Sequence, residues 1–226
     1  MVKVNQRTSH GIAFLFSYSY GKAQDCTSPQ SITFRCSNSY GVSSYSVKHR
    51  GVGTFIWDLP GNKLNSRANG PLGLLVGGWQ LSGIVTGTTG IHFTPSLNAG
   101  VNNGAPSYPN QIASCKIANP SLKQWFNIAA FVAPPANTYG NMRSGPCTGP
   151  GSFSTNTSLV KQTQIHESMA LQLRFEAYNL FNHPFFGLPN ASIGGTSAGI
   201  ISSTANNLIT DAGDNRNLEA AIKFIF

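Results

Sequence analysis

Charge is what this chain most lacks. Charged residues make up 10% of its 226 positions, and only seven are acids, against roughly a quarter charged in an ordinary globular protein. So few acids leave little material for paired-carboxylate catalysis. No G-x-S-x-G, H-E-x-x-H or phosphate-cradling glycine loop stands in for it. The five histidines, His10, His49, His92, His166 and His183, are spread singly, and no activating base lies near any one Ser or Thr in sequence. His183, in Asn179-Leu-Phe-Asn-His-Pro184, reads as a strand-end cap rather than a reactive group. Neither a catalytic residue nor a cofactor is expected. The net charge of +8 reflects the shortage of acids, because the 15 Lys and Arg are scattered. A nucleic-acid surface gains from counterion release only when bases cluster, so no nucleic-acid partner is expected.

Long apolar runs are also missing. The best, Leu72-Gly-Leu-Leu-Val76, is far shorter than the roughly 18 residues a membrane-spanning helix needs. Met1-Val-Lys-Val-Asn-Gln-Arg-Thr8 is polar and alternating, unlike a secretory leader, so an exported protein would have its beginning outside this sequence. The place of charge is taken by Gly (24 residues), Ser, Thr and Asn. Such a composition suits strands with one greasy and one polar face, as in a β-barrel whose strands meet lipid outside and a polar lumen inside. A secreted all-β domain is the alternative that composition leaves open.

What the chain does have is period-two alternation. In the last ten residues Leu218, Ala220, Ile222, Phe224 and Phe226 oppose Asn217, Glu219, Ala221, Lys223 and Ile225, the mark of a two-faced strand. Ile12, Phe14, Phe16, Tyr18 and Tyr20 form a second such face. Gly51, Gly53, Phe55, Trp57 and Leu59 form a third, and Trp79, Leu81, Gly83 and Val85 a fourth. Met169, Leu171, Leu173, Phe175, Ala177 and Phe181 make the clearest one. With weaker strands over about 155–165 and 2–7, the expectation is about seven antiparallel strands. An aromatic-terminated strand at the end of a chain is a feature of outer-membrane barrels and rare in soluble domains.

The connections alternate in length. Residues 8–10 and 166–168 are tight turns and 60–78 is a moderate one, whereas 23–46, 96–154 and 187–215 are long and rich in Ser, Asn, Gly and Pro. Outer-membrane barrels have short periplasmic turns and long extracellular loops, so this spacing places the three long loops outside the cell. Trp57 and Trp79 then fall near the periplasmic interface and Tyr18 and Tyr20 near the outer one, where amphipathic rings favour the headgroup level. The face expected to line the lumen carries Arg50, Asp58, Lys161, Arg174, Glu176, Glu219 and Lys223. On the lipid face an Arg or Lys at the midplane would cost about 2–4 kcal/mol.

Cys26, Cys36, Cys115 and Cys147 all lie in the expected extracellular loops. In an oxidising compartment locality favours the pairs Cys26–Cys36 and Cys115–Cys147, each closing one loop. The Cys-x9-Cys spacing is no tight ligand set and no histidine clusters beside it, so no metal is expected.

Four segments carry a family likeness: Val47-Lys-His-Arg-Gly-Val-Gly-Thr-Phe-Ile-Trp-Asp-Leu-Pro60, Gly77-Gly-Trp-Gln-Leu-Ser-Gly-Ile84, Trp125-Phe-Asn-Ile-Ala-Ala-Phe131 and Leu173-Arg-Phe-Glu-Ala-Tyr-Asn-Leu-Phe-Asn-His-Pro184. With Ser202-Ser-Thr-Ala-Asn-Asn207 and the strand to Phe226, they resemble, in the same order, the end of TonB-dependent outer-membrane receptors of the Oar-like group. The resemblance implies a bacterial outer-membrane location. Residues 1–226 would be the C-terminal part of a barrel of about 22 strands, with the plug and the TonB-contacting segment absent. It further implies energised uptake of a bulky solute by the complete protein, through the TonB system, and a segment inactive alone. Leu218, Ala220, Ile222, Phe224 and Phe226 would be the signal read by the barrel assembly machinery. The loop 96–154, with Trp125, Phe131 and Tyr139, is the expected ligand contact, equally readable as a loop packed on its neighbours. A passive porin or adhesin barrel shares these strands and differs in lacking a plug upstream. A secreted soluble all-β binding domain is the third reading.

Overall fold

The computed structural model describes residues 1–9, 11–26, 40–61, 70–97, 108–166, 169–204 and 215–226. Its main feature is one seven-stranded antiparallel sheet: β1 (Val2–Ser9), β2 (Ile12–Tyr20), β3 (His49–Asp58), β4 (Trp79–Thr88), β5 (Ser152–His166), β6 (Met169–Tyr178) and β7 (Asn217–Ile225). Neighbours in the sheet are neighbours in sequence, so the sheet is a simple meander with β1 and β7 as unpaired edges. Seven strands are expected from alternation and seven form. All three short connections lie at one end of this meander, the turn end, and all three long ones at the other, the loop end.

Register tests the face assignment, because residues directly opposite each other share a face. Leu171, Leu173, Phe175 and Ala177 of β6 face Phe224, Ile222, Ala220 and Leu218 of β7. Across β5, Leu159 joins Phe175 on one side and Leu81 on the other. The same face continues through Trp57–Leu81, Phe55–Gly83, Phe14–Phe55 and Phe16–Gly53 to Val4–Phe16. An apolar stripe thus crosses all seven strands in phase. Its side chains stay uncovered: Ile222 is 69% exposed, and Phe14, Phe16, Phe175, Leu218 and Phe224 are exposed as well. The other sheets among the described residues have two strands each.

Glycines on the stripe make room for rings. A Cβ at Gly83 would stand 2.7 Å from the Phe55 ring directly across from it, so the ring lies over the bare backbone of its neighbour strand. Trp57 and Trp79 sit on this face at the turn end, Tyr18 and Tyr20 at the loop end. There Tyr18 shares a 2.7 Å hydrogen bond with His49.

The opposite face carries Arg50, Asp58, Arg174, Glu176, Glu219 and Lys223, as expected. Lys161 is a correction. It stands opposite Trp79 and Leu173, on the apolar face. In β5 the adjacent Leu159 and Val160 are both apolar, so alternation sets no phase there and the charge alone assigned the side.

Two further corrections concern boundaries. The 59–78 connection contains a short helix, α1 (Gly70–Val76), where a simple turn is expected. β6 ends at Tyr178 instead of reaching Phe181, because Asn179 and Asn182 turn into the left-handed region, each at φ 50°. The buried Asn179 fixes that bend: its carboxamide donates to the His183 carbonyl and accepts from the His183 amide, both at 3.0 Å.

Candidate functional site

The sheet offers two surfaces beyond its apolar stripe: a polar face and a body built from the long connections. On the polar face Gln80 donates to Asp58 across the strands at 2.8 Å, and the Thr88 and Ser152 hydroxyls lie 2.7 Å apart. Glu176 accepts from Tyr178 at 3.2 Å and from Ser158 at 3.4 Å, and pairs with Arg174 at 3.6 Å. Glu176 also stands directly opposite Glu219. Like charges face to face destabilise a ladder, so that pair fits a surface bathed in water. A shallow groove of about 320 Å³ runs over Thr54, Ile56, Ser82, Ile84, Asn156 and Ser158 on this side.

The long connections interlock into a cap at the loop end. Four ladders of two residues stitch it: Gln24–Asp25 with Gly41–Val42, His92–Phe93 with Cys147–Thr148, Asn110–Gln111 with Phe131–Val132, and Ser96–Leu97 with Ser192–Ile193. The last joins the second connection to the third, as do the Trp125 amide to Gly199 (2.9 Å) and the Ile201 amide to Leu122 (2.8 Å). The first connection joins the second where the Val42 amide meets the Ser144 carbonyl at 3.0 Å. Beside that junction Gly145 has φ +63°, and a Cβ on it would run into the Val42 carbonyl, so only glycine fits. His92 Nδ1 donates to the Gly145 carbonyl at 2.9 Å and holds the turn in place.

The cap has its own core. Phe93, Cys115, Phe126, Ala130, Phe131, Met142, Cys147 and Ile193 bury one another, with Leu97, Tyr108, Trp125, Ile128 and Ala191 packed around them. The disulfide Cys115–Cys147 lies inside it, across 32 residues. Cys26 is disulfide-bonded too; Cys36, its expected partner, lies outside the described residues.

The three residues expected to meet a ligand are thereby separated. Phe131 is 3% exposed and serves the core, so it is not available to a ligand. Trp125 is half-buried, and its indole N–H donates to the Thr148 carbonyl at 2.9 Å. Its ring forms one wall of a cleft of about 240 Å³ with Ile117, Pro120, Pro146 and the disulfide. Tyr139 stands apart, 53% exposed. The 89–151 segment contains Lys116, Lys123 and Arg143 and no acid, so its field favours negative charge. Among the described residues no group of three or more His, Cys, Asp or Glu gathers in metal-binding reach. None of the helices described is long and apolar enough to cross a membrane, which says nothing of crossing by strands.

Residues 1–219 match the family model described as outer membrane beta barrel domain. No curated protein and no solved structure matches the chain.

Proposed function

The chain belongs to the outer membrane β-barrel domain family, and from that premise we propose that it is the wall and cap of a larger barrel that takes up a bulky solute, of the TonB-dependent receptor type. The observation that carries this reading is the open sheet beneath an interlocked cap. Seven strands with two bare edges leave backbone N–H and C=O groups facing lipid, each at a cost of several kcal/mol. More strands must therefore complete the wall.

Direction constrains their number. β1 and β7 are the first and last strands of an odd antiparallel meander, so they run the same way. Joining them directly would make a parallel seam, whereas outer-membrane barrels of a single chain pair antiparallel in even numbers. The complement is thus an odd number of strands, which a parent barrel of about 22 would meet. A cap with its own core and disulfide, at the end where such barrels meet the outside, suits capture of a scarce solute better than free diffusion. The coding sequence adjoining this one tests the uptake reading. A plug domain and a TonB-contacting segment upstream support it, and strands with neither would leave a passive porin or adhesin.

The membrane assignment has its own check. In the complete barrel that carries this segment, reconstituted in lipid vesicles, Phe175→Arg, on the apolar stripe, should cost about 2–4 kcal/mol, whereas Gln172→Arg, on the polar face opposite Lys223, should cost no more than about 1 kcal/mol from that like-charge pair. Urea unfolding of the two variants decides it, and equal losses would sink the face assignment.

A further inference from the structure

Lys161 is a cation on the wrong face. It is also 7% exposed, so something covers it. Its ammonium donates to the Gly77 carbonyl at 2.6 Å and lies 5.1 Å from the centroid of the Trp79 ring. Gly77 follows directly on α1, and the Trp79 indole donates to the carbonyl of Leu75, inside α1, at 3.0 Å. Two side chains of the apolar face therefore reach the C-terminal end of the same helix and hold it there. A bare ammonium at this position would meet the edge of the hydrocarbon. Bonded to a carbonyl and shielded by an indole, it is spared that exposure.

The helix held in this way presents apolar side chains outward: Leu75 is 69% exposed and Val76 49%. We propose that α1 is a foot that seats in the phospholipid leaflet at the turn end of the barrel, clasped to the wall by Lys161 and Trp79. The occupant is a phospholipid surface because the foot is continuous with the stripe that already faces lipid, through Trp79 itself. Trp57, on the neighbouring strand opposite Leu81 and so two residues along from Trp79, gives a second indole that favours the headgroup region. The connection between β3 and β4 would thus be part of the membrane contact. The proposal rests on the outer-membrane reading of the sheet.

The complete barrel that carries this segment, reconstituted in phosphatidylcholine vesicles, provides the test, with Leu75→Trp as reporter. The emission added by the new indole should be quenched by phosphatidylcholine brominated near the headgroup end of its chains, and should be shielded from aqueous iodide. Free quenching by iodide, with none by the brominated lipid, would overturn the foot. Lys161→Met in the same background should raise iodide quenching several-fold, and Lys161→Arg should restore shielding, since a guanidinium can also bond the carbonyl and stack on the indole. Unchanged shielding in Lys161→Met would overturn the clasp. If the emission lost on Trp57→Phe is not part of what brominated lipid quenches, the sheet itself is not in the membrane, and the foot falls with that premise.

Discussion

Phe126→Ala should loosen the cap by about 3–5 kcal/mol while leaving the sheet untouched. Phe126 is 2% exposed and meets Phe93 and Phe131 edge-on, at centroid distances of 5.4 and 6.0 Å. Removing its ring leaves a cavity at the centre of a small core that a few loop segments cannot close. The sheet is independent of this core, because its strands are held by their own ladders. Amide hydrogen exchange should therefore rise in the cap, at Asn127 and Ile112, whose N–H groups bond the Cys115 and Ala130 carbonyls. The amides of β5 and β6 should keep their protection. Lys123→Ala, at an exposed site, should stay within about 0.5 kcal/mol. If Phe126→Ala protects the cap as well as the parent does, the cluster is not what holds the loops together.

The sheet was readable from the sequence because alternation repeats it strand after strand. Phe14, Phe16 and Phe55, or Leu173, Phe175 and Ile222, are placed by counting in twos, and register agrees with the count. Where alternation is silent the reading fails. Leu159-Val160-Lys161 offers no phase, and the general rule that cations avoid lipid was overruled locally by a carbonyl from Gly77 and a ring from Trp79. The helix over Gly70–Val76 had the same fate: seven residues with two glycines and a proline at Pro71 give too short a period to see.

The cap was hidden for a different reason. Its ladders are two residues long, and its contacts join residues far apart in sequence, such as Leu97 to Ile193 and Leu122 to Ile201. No local pattern encodes such pairings. What could have signalled a core is the apolar density within a Gly- and Pro-rich stretch: Phe93, Tyr108, Trp125, Phe126, Phe131 and Met142, with two cysteines 32 residues apart. A loop near sixty residues without structure is unusual in a folded domain, and this one has a core. Locality paired Cys115 with Cys147 from the sequence; it could not show that the bridge runs through the cluster that buries Phe131.

Breaking that bridge should cost the cap about 4 kcal/mol, the chain-entropy value for a closed loop of this length. Both sulfurs are buried, with Cys115 at 5% and Cys147 at 1% exposure, so reductant should act only when the cap opens. The double variant Cys115→Ser/Cys147→Ser avoids that barrier and adds two hydroxyls to an apolar core, which raises the cost further. Cys147 also begins the ladder with His92–Phe93, next to the His92–Gly145 bond that holds the turn beside the Val42–Ser144 junction. Loss of the bridge should therefore spread to the Val42–Ser144 contact and expose 40–48 to protease along with 108–147. Digestion of the double variant in the complete, vesicle-bound barrel, with fragments read by mass spectrometry, should show cuts in both segments and none in β4 through β6. Cuts confined to 108–147 would mean that the first connection is held on its own. Resistance equal to the parent's would mean that the bridge contributes little, and that the buried rings alone keep the cap folded.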